Sequence, residues 1–480
     1  MRHAPSLLAV LALVSTGAAA EPVAVLTSES SSALAVSSLA GEEAISALYS
    51  YDVELAAATV SFEALLGREV DVSLPLPGGK SRHFVGIVNR VSQGAVIRAR
   101  IVPKLWLLTR RARSRMFQDM SVPEILGQVF GEGEIPFSSR LIGGYPRRDC
   151  VAQYNETDFA FVSRLMEDEG IFYFFVHDGN GATMVLGDSP VAHSALPGGA
   201  TLRWVGDRPG RGVHQWTKTQ ELRSGKRTLS DYSFAYPDES FPVSALLQES
   251  VVAGGVTHRL RVSGSENLEV YEYPGEYAQR FDDDPLPPRE AIEAEGERTV
   301  AIRAEEEGAQ ALQIEGVSDL GQLMSGFRIA LSGEPRFDGA YLVKGVTHKY
   351  NVPPSGRATY TNTFSCLPAA LAFRPERTTP KPRAGIQSAI VTGPSGSEIH
   401  TDALGRIKVR FPWDREGTHD EKSSCWIRVG SLHAGQEGGF APVPEVGDEV
   451  LVAFEHGDPD RPVVLGSVYN AKSPPPEPRR

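Results

Sequence analysis

Cysteine is scarce in this 480-residue chain: Cys150, Cys366 and Cys425 are the only three, they lie far apart and they form no C-x-x-C pair. A disulfide framework or a zinc cluster built on paired thiols is therefore not indicated, and at least one thiol must stay unpaired within the chain. Such usage fits folding in a reducing compartment. Long apolar runs are also missing. The longest near the amino terminus runs from Leu7 to Val14, well short of the roughly 18 to 20 apolar residues that cross a bilayer, so no stable membrane anchor is expected. Positive charge is in deficit: 48 Lys and Arg stand against 60 Asp and Glu, a formal charge of -12, which repels nucleic acid and anionic lipid. The sequence contains no Gly-rich phosphate loop, no H-E-x-x-H and no G-x-S-x-G. The usual signatures of nucleotide, zinc and serine-nucleophile chemistry are thus absent.

What is present describes a large, loop-rich globular chain. It is 41% hydrophobic, with 47 Gly and 34 Pro, and its length predicts two to four domains at about 150 residues each. Residues 1–20 carry Arg2, the apolar run and then Ala18 and Ala20 ahead of Glu21, the arrangement of a cleavable secretory signal. From Glu21 to Ile101, short Val- and Ile-rich runs alternate with Gly, Pro and Ser, predicting strands, and Pro77-Gly78-Gly79 predicts a hairpin turn. Ser121 and Glu124, with Pro123 between them, form a capping box that opens a helix over Ile125, Leu126, Val129 and Phe130. Asn155 and Asp158 open a second helix that Gly170 stops. Strands are expected again in IFYFFVHD (171–178), TMVLGDS (183–189), SDYSFAY (230–236) and Phe327–Tyr350, and a helix over Pro288–Glu307, weakened by Gly296. The Pro- and Arg-containing stretch Phe373–Gly385 has no apolar periodicity and reads as a boundary. Beyond it, five short strand signals between Ala389 and Asn470 suit a small closed barrel of the OB type.

Few residues could carry chemistry. His400 with Asp402 and His419 with Asp420 are the nearest approach to an acid/base pair, and surface turns account for both. The loop His456–Asp460 lacks the distal ligands of a calcium site and reads as a β-turn in which Asp458 accepts backbone N–H bonds and Pro459 fixes φ. Asp282 to Asp284 read as solvated acid in a Pro-flanked loop. A basic run, Arg98, Arg100, Lys104, Arg110, Arg111, Arg113 and Arg115, is interleaved with Ile101, Leu105, Trp106, Leu107 and Leu108, which suggests a buried element with salt-bridged arginines. An OB-type barrel raises nucleic-acid binding, yet Ala389–Asn470 holds seven basic and thirteen acidic residues, which argues for a scaffold.

The run HTDALGRIKVRFPWDREGTHDEKSSCW (400–426), followed by EVGDEVLVAFEHGDPDRPVVLGSVYN (445–470), resembles the signature of the VgrG family, the spike proteins of type VI secretion systems. VSRLMEDEGIFYFF (162–175), KLWLLTRRARSRMFQDMSVPEIL (104–126) and YEYPGEY (271–277) extend the resemblance over nearly everything after Glu21. It implies a mainly β fold with an α/β insert (α+β): tandem β-barrel tube domains like a phage hub, then a five-stranded OB-type barrel. The expected divisions are a signal-like segment 1–20, a first hub barrel 21–105, the α/β insert 106–195, a second hub barrel with a helix 196–372, a linker 373–388, the OB domain 389–472 and a polar tail 473–480.

The resemblance further implies a homotrimer that caps the Hcp tube and carries effectors or a PAAR-type tip protein. It implies no enzyme activity, no cofactor, no metal and no nucleic-acid partner. Assembly would take place in the cytoplasm with release by the type VI apparatus; use of the signal-like segment would instead mean periplasmic export. Phe411, Pro412 and Trp413 are expected to anchor the OB module, Asp414 and Arg415 to order the loop after it, and Cys425 with Trp426 to be core. Gly457, Asp458, Pro459, Asp460 and Arg461 are expected to form a turn, and Tyr271, Tyr273, Pro274, Gly275 and Tyr277 a hub loop. The sequence departs from the family pattern in three ways: no β-helical needle repeat is expected after the barrel; the tryptophan of W-A-G is His433 and the arginine of P-R-x-G is Glu445; and an export signal conflicts with the family's assembly in the cytoplasm. A phage or phage-like tail hub shares the architecture and is the alternative reading; an OB nucleic-acid binder or a fused effector enzyme is the alternative of another class.

Overall fold

Burial with a period of two governs the first strands. In Ser50–Leu55, Tyr51, Val53 and Leu55 are buried, while Asp52 and Glu54 point outward and pair with Arg100 and Arg98 directly opposite on the neighbouring strand; this alternation fits a sheet with one dry face. The computed structural model describes residues 23–28, 31–278, 280, 287–353 and 356–476. The signal-like segment and Asp282 to Asp284 lie outside the described residues.

Six strands, β1 (Val25–Ser28), β2 (Ser31–Ala44), β3 (Ser50–Leu55), β4 (Glu69–Pro75), β5 (Ser81–Gln93) and β6 (Ile97–Val102), with a single helical turn α1 (Phe62–Leu65), make the first barrel. Their order is β1-β4-β5-β6-β3-β2, and pairing of β1 with β2 closes the ring. The β4–β5 hairpin turns at the expected place, with Gly78 and Gly79 at φ of 78° and 72°, a region that favours glycine.

The insert follows: β7 (Ala112–Ser121), α2 (Val122–Glu132), β8 (Phe137–Arg140), β9 (Arg147–Thr157), α3 (Asp158–Glu169), β10 (Phe172–Asp178) and β11 (Gly181–Gly187). Helix α2 begins at the Ser121–Glu124 capping box. Helix α3 is capped differently from expectation. The Thr157 hydroxyl accepts from the Ala160 N–H at 3.1 Å, whereas Asn155 has φ of 48° and sits at a register shift where β9 bulges against β7. Gly170 ends α3 in the left-handed conformation.

The second barrel draws on β12 (Thr201–Arg203), β13 (Val213–Gln220), β19 (Leu312–Ser318), β20 (Arg328–Ser332), β21 (Gly339–Asn351) and β22 (Thr359–Pro368). The order is β12-β20-β21-β22-β19-β13, and a bridge between Trp204 and Val213 closes it. Between β13 and β19 lie β14 (Lys226–Leu229), β15 (Val243–Leu246), β16 (Ser250–Ala253), β17 (Val256–Arg259), β18 (Glu269–Glu272) and helix α4 (Arg289–Gln310). Residues 230–236, expected as a strand, join no ladder: 230–233 have no regular structure and 234–236 form a turn and bend, while the Asp231 carboxylate accepts backbone N–H bonds from Tyr277 and Ala278. Gly296 in α4 is a contact point: a Cβ there would lie 2.9 Å from the Tyr277 ring.

The two barrels are one sheet. Strand β2 pairs with β1 through its first half and with Gly345–Asn351 of β21 through Ser38–Ala44. After residue 386 comes the C-terminal barrel: β23 (Gln387–Thr392), β24 (Lys408–Arg410), β25 (Arg428–Val429), a small hairpin β26 (His433–Ala434) and β27 (Gly439–Phe440), β28 (Glu449–Phe454) and β29 (Pro462–Ser467). Its order is β24-β23-β28-β29-β25, with Ile407 bridging Ile427 to close the five-stranded ring.

A buried polar knot locks the seam. Glu43 of β2 accepts from Arg82 at 2.9 Å and Tyr51 at 2.7 Å, both from the first barrel, and from the Ser325 N–H at 3.0 Å, from the second. Burial alone would raise the Glu43 carboxyl, but the Arg82 guanidinium and His348 outweigh it and hold the group well below the usual carboxylate range. Nearby, His177 accepts from the Val85 N–H at 3.2 Å, and burial with the Arg82 charge pushes its pKa down to about 3. A histidine that stays neutral when folded but protonates when unfolded stabilises the fold fully above about pH 6.5. It withdraws about 1.4 kcal/mol per pH unit as the pH falls from there toward the folded value. The thermal midpoint should therefore drop steadily between pH 6.5 and 4.5. His177→Gln, which still accepts but does not titrate, should flatten that slope in a calorimetric pH series.

Candidate functional site

No acid/base centre forms at the suspected histidines. Asp402 accepts from the backbone N–H groups of Leu404 and Arg406 and from the Arg406 side chain at 2.6 Å, so it caps a turn. Asp420 does likewise with Thr418 and the Lys422 N–H. His400 packs on Trp426 at 4.9 Å between ring centres. Among the described residues, no group of three or more His, Cys, Asp or Glu could hold a metal ion. The basic run is internally neutralised. Arg98 and Arg100 face Glu54 and Asp52, Lys104 faces Glu134, Arg111 bonds Asp158, Arg113 and Arg115 meet Glu132 and Glu416, and Arg110 lies 4.4 Å over the Trp106 ring.

What the fold builds instead is a junction between the C-terminal barrel and the rest. The two segments singled out as a hub loop and a barrel turn, about 180 residues apart in sequence, meet there. Lys381, from the expected linker, sits between them with its Nζ 2.7 Å from Asp458, 2.8 Å from Asp460 and 3.7 Å from Glu276. Asp231 completes the clasp: it accepts from the Tyr277 and Ala278 N–H groups at 2.8 and 3.0 Å and pairs with Arg461 at 3.2 Å. The Asp458–Arg461 turn closes with the Arg461 N–H on the Asp458 carbonyl at 2.9 Å, and the Asp460 N–H donates to the Asp458 carboxylate at 3.0 Å. Gly457 has φ of 76°, and Pro459 is buried.

Geometry explains the loop residues. A Cβ on Gly275 would lie 2.4 Å from the Tyr277 ring, so that position requires glycine. Tyr277 is fully buried and donates its hydroxyl to the Phe241 carbonyl, while Pro274 is partly buried. Tyr271 and Tyr273 stay exposed, and Tyr273 lies edge-on to His456 at 5.9 Å. Burial would raise the Asp460 carboxyl, but Lys381 and Arg164 overcome it and hold it below the usual range. Lys381 is correspondingly held above the usual lysine range: burial opposes its charge, and Asp458 and Asp460 more than compensate.

A second contact lies on β9. Phe411 is buried and stacks on Trp413 at 5.0 Å; Trp413 in turn meets Tyr154 of β9 at 5.6 Å and donates to Gln387 at 2.6 Å. The Ala152 N–H of β9 donates to Asp460 at 2.6 Å, and Gln118 of β7 donates to the Lys422 carbonyl at 2.8 Å. Phe234 lies under Arg406 and Arg428 of the barrel. Asp414 is buried and accepts from the Glu416 and Gly417 N–H groups. Two expectations are corrected: Pro412 is exposed, because the chain turns outward between two stacked rings, and Arg415 is exposed and makes no ion pair among the described residues. Trp413 is partly buried, packed on the barrel core and shared with Tyr154. Cys425 is core, and Trp426 is half-buried beneath Lys408. His433 and Glu445, the departures from the family pattern, are both exposed.

The expected linker is strapped down along its length. Phe373 is buried, Arg374 reaches Glu305 at 2.6 Å, Arg377 reaches Glu272 at 2.9 Å, and Glu167 accepts from the Thr378 and Thr379 N–H groups. Beside it, Asp168 and Glu169 at the end of α3 face Arg148, Arg280, Arg298 and Arg303. Carboxylates at a helix C-terminus oppose the helix dipole. The surrounding guanidiniums outweigh both that and burial, holding Glu169 at about 2. Lys381, Asp231, Glu276 and Tyr154 were not recognisable as junction residues in the sequence; the one available signal was a lone lysine between prolines 380 and 382.

The comparisons with known proteins agree with this architecture. Residues 42–353 match the family model described as phage tail baseplate hub (GPD), and residues 391–469 match the type VI secretion system/phage-baseplate injector OB domain. The chain is 36% identical over 458 residues to the type VI secretion system spike protein VgrG1c of Pseudomonas aeruginosa, covering 90% of this chain and 59% of that protein. It is 37% identical to VgrG1a of the same organism, covering 90% and 67%. To the actin cross-linking toxin VgrG1 of Vibrio cholerae it is 32% identical, covering 89% of this chain and 39% of the toxin. The fold is shared with the c3393 protein of E. coli, described as a type VI secretion component similar to T4 tail proteins gp27 and gp5, at a TM-score of 0.63, 22% identity and coverage of 92% and 99%. It is also shared with the Francisella PdpA–VgrG complex at a TM-score of 0.59, 8% identity and coverage of 94% and 78%.

Lys381→Met removes the cation that three carboxylates share. With 26% of the lysine side chain exposed, the cost should be about 2 kcal/mol rather than the 3 to 5 of a fully buried pair. Adding Asp460→Asn should recover part of it in a double-mutant cycle read by thermal unfolding. Trp413→Ala should cost about 2 kcal/mol, below the full core value because the ring is shared and partly exposed, and should make the C-terminal barrel easier to release by limited proteolysis.

Proposed function

The chain belongs to the VgrG family of type VI secretion spike proteins, and from that premise we propose that three copies assemble into a hub that caps the Hcp tube and is driven outward with it. The observation that carries this reading is the pair of six-stranded barrels fused through β2 and β21. Three such pairs supply six barrels, and six barrels in a ring match the end of a hexameric tube. The C-terminal barrel, clasped by Lys381 and Asp231, then stands on the axis as the mount for a PAAR-type tip or an effector. The work comes from the contracting sheath, so the demand on this chain is cohesion under load, which the ion-paired junction and the shared sheet supply. No catalytic group is required. Release to the outside follows from the contraction itself.

A phage-type tail hub is the second reading, favoured by the match of residues 42–353 to a baseplate hub model; it shares the trimer and differs in the tube beneath. The chain spans 59% and 58% of the relatives VgrG1c and VgrG1b, so their assembly is carried over as a proposal for the portion in common. Purified chain from Glu21 onward should sediment as a trimer at micromolar concentration. It should bind the end of Hcp stacks in electron micrographs. A strictly monomeric mass, with bare tube ends, would rule out the cap.

A further inference from the structure

The three thiols are not equivalent. Cys366 is buried in the second barrel among Phe364, Leu367 and Tyr341. Cys150 and Cys425 belong to a different place: both are free, both are buried, and both line a cavity of about 90 Å³ between the insert and the C-terminal barrel. They share one apolar cluster, in which Cys150 is joined to the fully buried barrel residues Ala389, Ile407, Val409 and Ile427.

Hydrogen bonds fix this juxtaposition from both sides. Two residues along β9 from Cys150, the Ala152 N–H bonds Asp460 at 2.6 Å. Across the ladder from Cys150 stands Gln118, whose amide bonds the carbonyl of Lys422, three residues before Cys425. The β7–β9 ribbon is therefore tied to the barrel at both neighbours of the thiol. A hydrogen bond to the Cys425 side chain, together with burial, pushes the Cys150 thiol well above its ordinary range.

We propose that Cys150 and Cys425 form an oxidisable pair that converts the junction between the insert and the C-terminal barrel from an ion-paired contact into a covalent one. The co-reactant is a peroxide, small enough for a cavity of this size. The thiolate of one cysteine attacks a peroxide oxygen, breaking the O–O bond; the sulfur becomes a sulfenic acid and the peroxide's other oxygen leaves as water after taking up a proton. The sulfur of the second cysteine then displaces the sulfenic oxygen as a second water, forming the S–S bond. Two thiols are oxidised by two electrons and one hydrogen peroxide is reduced to two waters. With the thiol pushed upward, thiolate is rare near neutral pH, so the pair stays reduced in a reducing cell and closes slowly in an oxidising one. The consequence is a spike whose barrel is held more firmly after it leaves the cytoplasm than before. The cross-link would join residues 150 and 425, closing a long loop and restricting the unfolded chain.

The test uses the full chain, reduced and then exposed to hydrogen peroxide over pH 7 to 9. Alkylation after denaturation and peptide mapping should show two of the three thiols lost, a Cys150–Cys425 peptide, and Cys366 still free. The rate should rise nearly tenfold per pH unit. The oxidised chain should melt at least about 2 °C higher than the reduced one, a shift abolished by Cys150→Ala and kept by Cys366→Ala. Three alkylatable thiols after exposure, separate sulfinic acids at 150 and 425, or links between chains would each overturn the proposal. Should both alanine variants fold poorly, the peptide map of the unaltered chain decides alone.

Discussion

A lysine ammonium between three carboxylates holds the C-terminal barrel against the rest of the chain. An apolar contact of similar area would slide at little cost, since burial depends on area and not on direction. Charged groups behave differently. Breaking one partner away leaves the other buried and unpaired, which is expensive, so such a junction resists displacement in every direction that separates the charges. Asp231 extends this logic, spending one carboxylate on two backbone N–H groups of the hub loop and on Arg461 of the barrel turn. The loop and the turn are thereby set by the same acid, and neither can move without the other.

The barrels are joined by a different device. Strands β2 and β21 are 14 and 13 residues long, and each divides its edge between a partner in its own barrel and the other long strand. A ladder of backbone hydrogen bonds crosses the seam, and Glu43 pins it from within by serving donors of both barrels. A continuous sheet of this kind joins the two barrels through many parallel hydrogen bonds instead of through a hinge. The acid sensitivity of the neighbouring histidines is a consequence of placing polar groups where solvent cannot reach them.

The sequence carried the elements well where a local rule decided them. The capping box at Ser121, the glycine turn at residues 78 and 79, the stop at Gly170 and the five strands of the C-terminal barrel all follow from short-range chemistry. It failed where a distant partner decided the outcome. Residues 230–236 have the composition of a strand but join no ladder, and their Asp231 carboxylate instead serves the distant hub loop. Asn155 looks like a helix cap but occupies a bulge set by β7. The stretch from Phe373 to Gly385 has a linker's composition and is nevertheless fixed by carboxylates up to about 200 residues away in the chain. The junction was legible only as two separate signatures, since spacing in sequence says nothing about a lysine that joins them.

Charge shows the same division between composition and structure. The basic run that begins at Arg98 suggests an acidic partner when read as a list of residues. In the fold it is consumed by Glu54, Asp52, Glu134, Asp158, Glu132 and Glu416. The arginines around Asp168 and Glu169 are consumed in the same way. Each paired cation neutralises a carboxylate in turn, so this pairing leaves the formal charge of -12 as the balance of the whole chain and supplies no free basic patch from this run. A protein surface of that sign repels phosphate backbones and anionic lipid alike.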